Sequence, residues 1–240
     1  MKKALIIANK EFNSYLDSIG GYIVMVLFLG ITGFFTWLSG NNIFFIGQAD
    51  LTPFFAVAFW TLFFFVPAIT MRSFAEEQNL GTLELLLTHP VSYDQTVMGK
   101  FLGAFYLILM TLAFTLIYYL SVALIGPVDH GATVSGYIGL ILLSSAYIAI
   151  GIYASSLTKN QIVAFLISLG IAIFFQLIFD MIANITHGWI SELFRFLSFN
   201  THFQTMARGV IRLDSVLYFF AVIYIALRLA VINLYSRRYN

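Results

Sequence analysis

The sequence predicts an all-α polytopic membrane protein with six transmembrane helices, and three observations predict it. Of the 240 residues, 60% are hydrophobic and only 10% charged, with a mean hydropathy of +0.92. An ordinary soluble domain is about 45–50% apolar and about 25% charged. So few charges cannot cover a water-soluble globule of this size, and disorder requires the opposite composition. Second, the charges leave long gaps: 32 uncharged residues between Asp17 and Asp50, 21 between Asp50 and Arg72, 28 between Lys100 and Asp129, and 29 between Asp129 and Lys159. A further 20 lie between Lys159 and Asp180, and 22 between Asp214 and Arg237, broken once by Arg228. A helix needs ~20 apolar residues to cross the hydrocarbon core. Third, runs such as Phe63-Phe64-Phe65-Val66 and Ala172-Ile173-Phe174-Phe175 are apolar on every face, where a barrel strand would alternate.

Taken in order, residues 1–19 come first. Met1-Lys2-Lys3 resembles the charged opening of a signal peptide, but the first long apolar stretch begins only near Gly20 and no small-residue cleavage site follows it. That stretch reads as a retained anchor. Ahead of it, Leu5, Phe12, Leu16 and Ile19 recur at helical spacing with Lys10 and Asp17 elsewhere, the pattern of an amphipathic helix in the inner interface. Spans are expected at 20–38 and 53–71, then, after an inner segment at 72–100, at 101–125, 137–157 and 162–184. Residues 185–214 hold Trp189, Ile190, Leu193, Phe194, Phe196, Leu197 and Phe199. They are too apolar for a solvated loop and too interrupted to cross, so short helices dipping into the outer leaflet are expected, with breaks at Gly188 and Asn200. The last span is 215–235, followed by a short tail, and the whole of 1–240 forms one transmembrane domain.

Loop charge sets the orientation, because cytoplasmic loops carry the Lys and Arg excess. With the N-terminus inside, the inner side collects Lys2, Lys3, Lys10, Arg72, Lys100, Lys159, Arg237 and Arg238, against Arg195, Arg208 and Arg212 outside. Both termini are therefore expected in the cytoplasm.

Several chemistries are excluded. Cysteine is absent, which removes disulfides, thiol catalysis and cysteine-ligated metals. No phosphate-binding loop exists, since Gly99-Lys100 is followed by Phe101. His89, His130, His187 and His202 lack metal-ligand spacing, and no Ser/His/Asp set shares a compartment. No catalytic residue, metal site or cofactor is expected on this chain. The net charge of +1 gives no sign of a nucleic-acid partner, and none is expected. Ionisable residues inside a span are the default mark of an ion path, and Asp180 and Arg228 qualify by position. Asp180 sits near the outer end of its span and Arg228 in the inner half of the last. Both read either as charges reaching the interface or as the lining of a pathway.

The informative stretch is the inner segment. Leu80, Leu83 and Leu87 recur at i, i+3 and i+7, with Glu76, Glu77 and Glu84 available to another face, Gly81-Thr82 ahead and Pro90 behind. A short amphipathic helix with an acidic side can enter a groove on a soluble partner or rest on lipid. Here the sequence resembles a known family. The run Glu77-x-x-x-Gly81-Thr82-x-Glu84-x-Leu86-Leu87-x-x-Pro90-Val91-Ser92, followed by Gly99-Lys100, is similar to the signature of type-2 ABC exporter permeases. The start of the chain and its small size look most like the gliding-motility permeases of Bacteroidetes, with the nitrous-oxide-reductase maturation permeases as near relatives. The resemblance implies a six-span subunit with an amphipathic entry helix and re-entrant helices before the last span, in the bacterial inner membrane. Its partners would be a cytoplasmic ABC ATPase dimer, which carries the ATP and Mg, and a second permease subunit. That subunit would be identical or different, in the gliding subfamily a chain with a large periplasmic part. ATPase coupling would fall to Glu76, Glu77, Gly81, Thr82, Leu83, Glu84, Leu87 and Pro90. Against this stand an ion-coupled secondary carrier, disfavoured by sparse intramembrane charge, and a membrane scaffold that merely docks a partner.

Overall fold

The computed structural model describes residues 2–38, 50–82 and 92–236. Eleven α-helices and one π-helical turn make up the described chain, with no strand among these residues. They are α1 Lys2–Asp17, α2 Ile19–Trp37, α3 Thr52–Thr70, α4 Arg72–Leu80, α5 Tyr93–Ile125, α6 His130–Leu157, α7 Gln161–Ile173, the π turn Phe174–Ile178, α8 Phe179–Ile185, α9 Trp189–Leu197, α10 Phe199–Ala207 and α11 Leu213–Ser236. Six helical stretches, counting α3 with α4 and α7 with α8, are long and apolar enough to cross a membrane. The protein is an all-α polytopic membrane protein.

Local chemistry sets the helix ends. Ser18, Asp129 and Asn160 accept backbone N–H bonds at the starts of α2, α6 and α7, and Ser92 with Gln95 forms a reciprocal cap on α5. Buried threonines of the spans return their hydroxyls to their own helix: Thr32 to the Phe28 carbonyl, Thr36 to Thr32, Thr61 to Val57 and Thr111 to Leu107. Such bonds satisfy a hydroxyl within its own helix.

The core is organised around α6, which packs against α3, α4, α5, α7, α10 and α11. Lipid tails are as apolar as leucine, so association between spans relies on close packing at small residues. A Cβ added at Gly151 would lie 2.8 Å from the Cβ of Thr70, and one at Gly136 would lie 2.5 Å from the ring of Phe55. The far end of α6 receives α10: Ser135 donates to the Met206 carbonyl at 2.7 Å, and Phe199 and Phe203 are fully buried.

The structure departs from the sequence reading in five places. Helix α5 begins at Tyr93 rather than near residue 101, because Asp94 and Lys100 both find partners within the fold. The fifth span is interrupted by the π turn, which sets Gln176 inward against the Tyr147 hydroxyl. The outer segment breaks at Gly188 (φ +71) and at Ser198, while Asn200 lies inside α10. The face of α1 that packs on protein holds Ala4, Ala8 and Tyr15 together with the expected Phe12 and Leu16, whereas Leu5 and Ile19 are exposed; small side chains sit where α5 approaches closely. Finally, the helix that carries Leu80 ends at once, with Gly81 at φ +70 as its cap, and Leu83 and Leu87 lie outside the described residues.

Candidate functional site

The residues that resemble the coupling signature begin where α3 passes into α4. Pro67 inside α3 has no N–H to offer the carbonyl one turn back. At the junction, Met71, the backbone ladder is opened by a side chain from another span. Ser155 Oγ donates to the Met71 carbonyl at 2.9 Å and accepts the N–H groups of Phe74 at 2.9 Å and Ala75 at 3.0 Å. One hydroxyl proton and two lone pairs are thereby all used. A hydroxyl inserted into a helical ladder is a recognised origin of a bend. The next residue, Ser156, offers its carbonyl to Gln78 of α4 at 3.1 Å and to Asn233 of α11 at 2.6 Å. Helix α4 is thus bound to the end of α6 and through it to α11.

Lys100 makes the second attachment. It is 2% exposed, yet carries a charge, and it donates to Glu11 of α1 at 2.8 Å and to Glu77 of α4 at 2.7 Å. The ring of Phe74 lies 5.1 Å from the ammonium, within cation–π range. Two carboxylates against one ammonium leave the cluster net negative, and among the described residues Glu77 Oε2 is buried with no hydrogen-bond partner. Beside the cluster, burial and then the Glu11 charge hold the Tyr15 phenol above its ordinary pKa. Glycines on either side of Lys100 admit α1. A Cβ on Gly99 would lie 2.7 Å from the Ile7 Cβ, and one on Gly103 would lie 2.6 Å from the Glu11 Cβ.

The other residues named from the sequence fall as follows. Glu76 lies half-buried on α4 beside Glu77, which accepts from Lys100 within the chain. Gly81 caps α4 by donating its N–H to the Glu77 carbonyl, and the Thr82 hydroxyl reaches the same carbonyl at 3.4 Å. Leu83, Glu84, Leu87 and Pro90 lie outside the described residues. Arg228 pairs with Asp94 at 2.9 Å, both exposed, where the Tyr93 and Tyr235 rings also meet at 4.3 Å. Asp180 accepts from Asn200 at 3.3 Å instead. The structure does not bring Asp180 and Arg228 together.

Sequence reasoning missed Lys100, Glu11, Ser155 and Asn233 as parts of one junction. Only one of them left a signal: a lysine between Gly99 and Gly103, spaced as a small-residue helix contact. Near the other end of the bundle, His202 stacks on Tyr218 with centroids 4.3 Å apart, contacts the Phe196 carbonyl through Nε2 at 2.7 Å and meets Ser215 through Nδ1 at 2.9 Å. Burial lowers its pKa below the ordinary imidazole value, partly opposed by the Phe196 carbonyl, which favours the protonated ring. Among the described residues no group of three or more His, Asp or Glu is placed to hold a metal.

A connection between two spans is gripped on one side by α4, continuous with α3, and on the other by the capped start of α5. A comparison of the chain with family models matches residues 4–237 to the one described as ABC-2 family transporter protein. No curated protein matches the chain.

Proposed function

Because the chain belongs to the ABC-2 family of transporter proteins, we propose that it is the permease subunit of an ATP-driven exporter, receiving force from an ATPase on a separate chain. The contact is α4 together with residues 81–92, on the cytoplasmic face of the bacterial inner membrane, with both termini on that side. Two permease subunits, identical or different, complete the membrane core. The work done is linked to gliding motility, by transport or by movement of a partner protein.

The observation that carries this reading is the double anchorage of the connection. A push on it meets a helix continuous with α3 and bonded to α6 through Ser155, and a 33-residue helix, α5, that runs on through the bundle. Neither end can yield without displacing a span. A coupling element has to behave in this way, and a docking loop of a scaffold does not. By their spacing in the sequence, Leu83, Leu87 and Glu84 are the residues offered to a basic groove on the ATPase.

Glu84→Lys tests it, since Glu84 stands clear of the Lys100 cluster in sequence and Glu77 does not. Truncating one partner of a desolvated charge pair costs about 2–5 kcal/mol, so reversal should cut ATPase capture in pull-downs by tenfold or more at normal membrane abundance. The same strain should lose colony spreading. Unchanged capture and unchanged spreading would remove this segment from the coupling role.

A further inference from the structure

We propose that Lys100 makes α1 a working part of the coupling junction, clamping α1 and α4 to one point of α5 so that displacement of α4 reaches the first span through α1. The proposal rests on the reading of α4 and the segment after it as the ATPase contact, and goes beyond it by assigning a route and a positioning residue. Three independent features carry it. The first is the ionic cluster itself, in which a lysine buried to 2% exposure is the common partner of Glu11, 89 residues away, and Glu77, 23 residues away. The second is the seat prepared for α1. Gly99 and Gly103 flank the lysine on α5, and the α1 residues Ala4 and Ala8 are buried to 6% and 0% against them. Any side chain at either glycine would displace Ile7 or Glu11 and so withdraw the Glu11 carboxylate from Lys100.

The third is the corner between α1 and α2. A single residue, Ser18, separates the two helices. Its hydroxyl donates to the Tyr15 carbonyl at 3.0 Å and accepts the Gly21 N–H at 3.2 Å. A corner bonded on both sides passes a rotation of α1 into α2. The route is then α4, Glu77, Lys100, Glu11, α1 and the first span. Among the described residues the clamp is also incompletely compensated, with one carboxylate oxygen of Glu77 buried and without a hydrogen-bond partner. A partly satisfied polar network is held less firmly than a full one, which suits a contact that must carry load through a cycle.

The absence of cysteine allows spin labels at Ile6→Cys on α1 and Asn79→Cys on α4, both exposed, in the complete complex in lipid. The intact clamp should give one narrow distance distribution that nucleotide does not change, because the two helices move together. Lys100→Met leaves two facing carboxylates, whose repulsion alone displaces α1. The neutral combination of Glu11→Gln, Lys100→Met and Glu77→Gln keeps the volumes and removes the charges. It should retain membrane abundance, broaden the distribution, make it respond to nucleotide, and lower coupled ATP turnover about tenfold, within the range of coupling inside one ion-pair network. Lys100→Arg should keep the narrow distribution. Normal capture with an unchanged distribution and turnover in the neutral variant would overturn the clamp alone. Failure of the unsubstituted chain to capture any ATPase would overturn the functional reading instead.

Discussion

At the scale of single residues, the contacts that matter are close approaches and one inserted hydroxyl. Gly151 of α6 faces Thr70 at the turn before α4 begins, and the space between them does not hold a methyl group. Overpacking a filled interior costs about 1–3 kcal/mol. Gly151→Ala should therefore lower the melting temperature in detergent, and Thr70→Ala in the same chain should recover part of the loss; equal stability of Gly151→Ala and the native chain would show the contact to be loose. None of this was legible from the residues. Ala154-Ser155-Ser156 reads as the small end of an apolar span, and nothing local reveals that Ser155 completes the backbone of a helix 80 residues away. Lys100 was counted as an inner-loop charge because a lysine next to glycine carries no sign of its partners. Pairing at long separation is a property of the fold, and local pattern does not encode it.

At the scale of elements, the segment α9–α10 shows what composition can and cannot decide. Its apolar content excludes a solvated loop, and two helices are present. Yet their roles differ: α9 has no buried residue, whereas α10 carries Phe199, His202, Phe203 and Met206 into the core. Both helices are short and rich in aromatics, so local composition offers no ground for separating them. Their junction is held by His202 between the Phe196 carbonyl and Ser215. The lowered pKa means that the fold prefers the neutral ring. For a group depressed in the folded state, that stabilisation is present above its unfolded pKa of ~6.5 and is lost as pH falls through the folded value. Hydrogen exchange in lipid, corrected for intrinsic rates, should show slow amides over 199–207 at neutral pH and faster exchange near pH 5. His202→Gln should remove the pH dependence. Fast exchange at neutral pH would contradict the burial of α10.

At the scale of the whole molecule, the six spans were legible because a run of ~20 apolar residues is a local property, and the fold places them around α6 as the common neighbour. Orientation rests on charge alone and can be checked directly in a cysteine-free chain. Single cysteines at Asp129 and Arg208 should react with an impermeant thiol reagent in intact cells, while Asn79 and Asn160 should react only after lysis. The reverse pattern would invert the protein. The clamp at Lys100 has one more consequence, for biosynthesis. Helix α1 is made before α5, and the ammonium that Glu11 needs is 89 residues further along. At ~5–20 residues per second, roughly 4–18 s pass before Lys100 is even polymerised. During that interval two spans enter the bilayer with α1 undocked and Glu11 unpaired. The order of assembly is therefore fixed: α1 closes onto the nascent bundle only after the third span arrives, and until then the insertion machinery has to shelter a helix that is finished but has no seat.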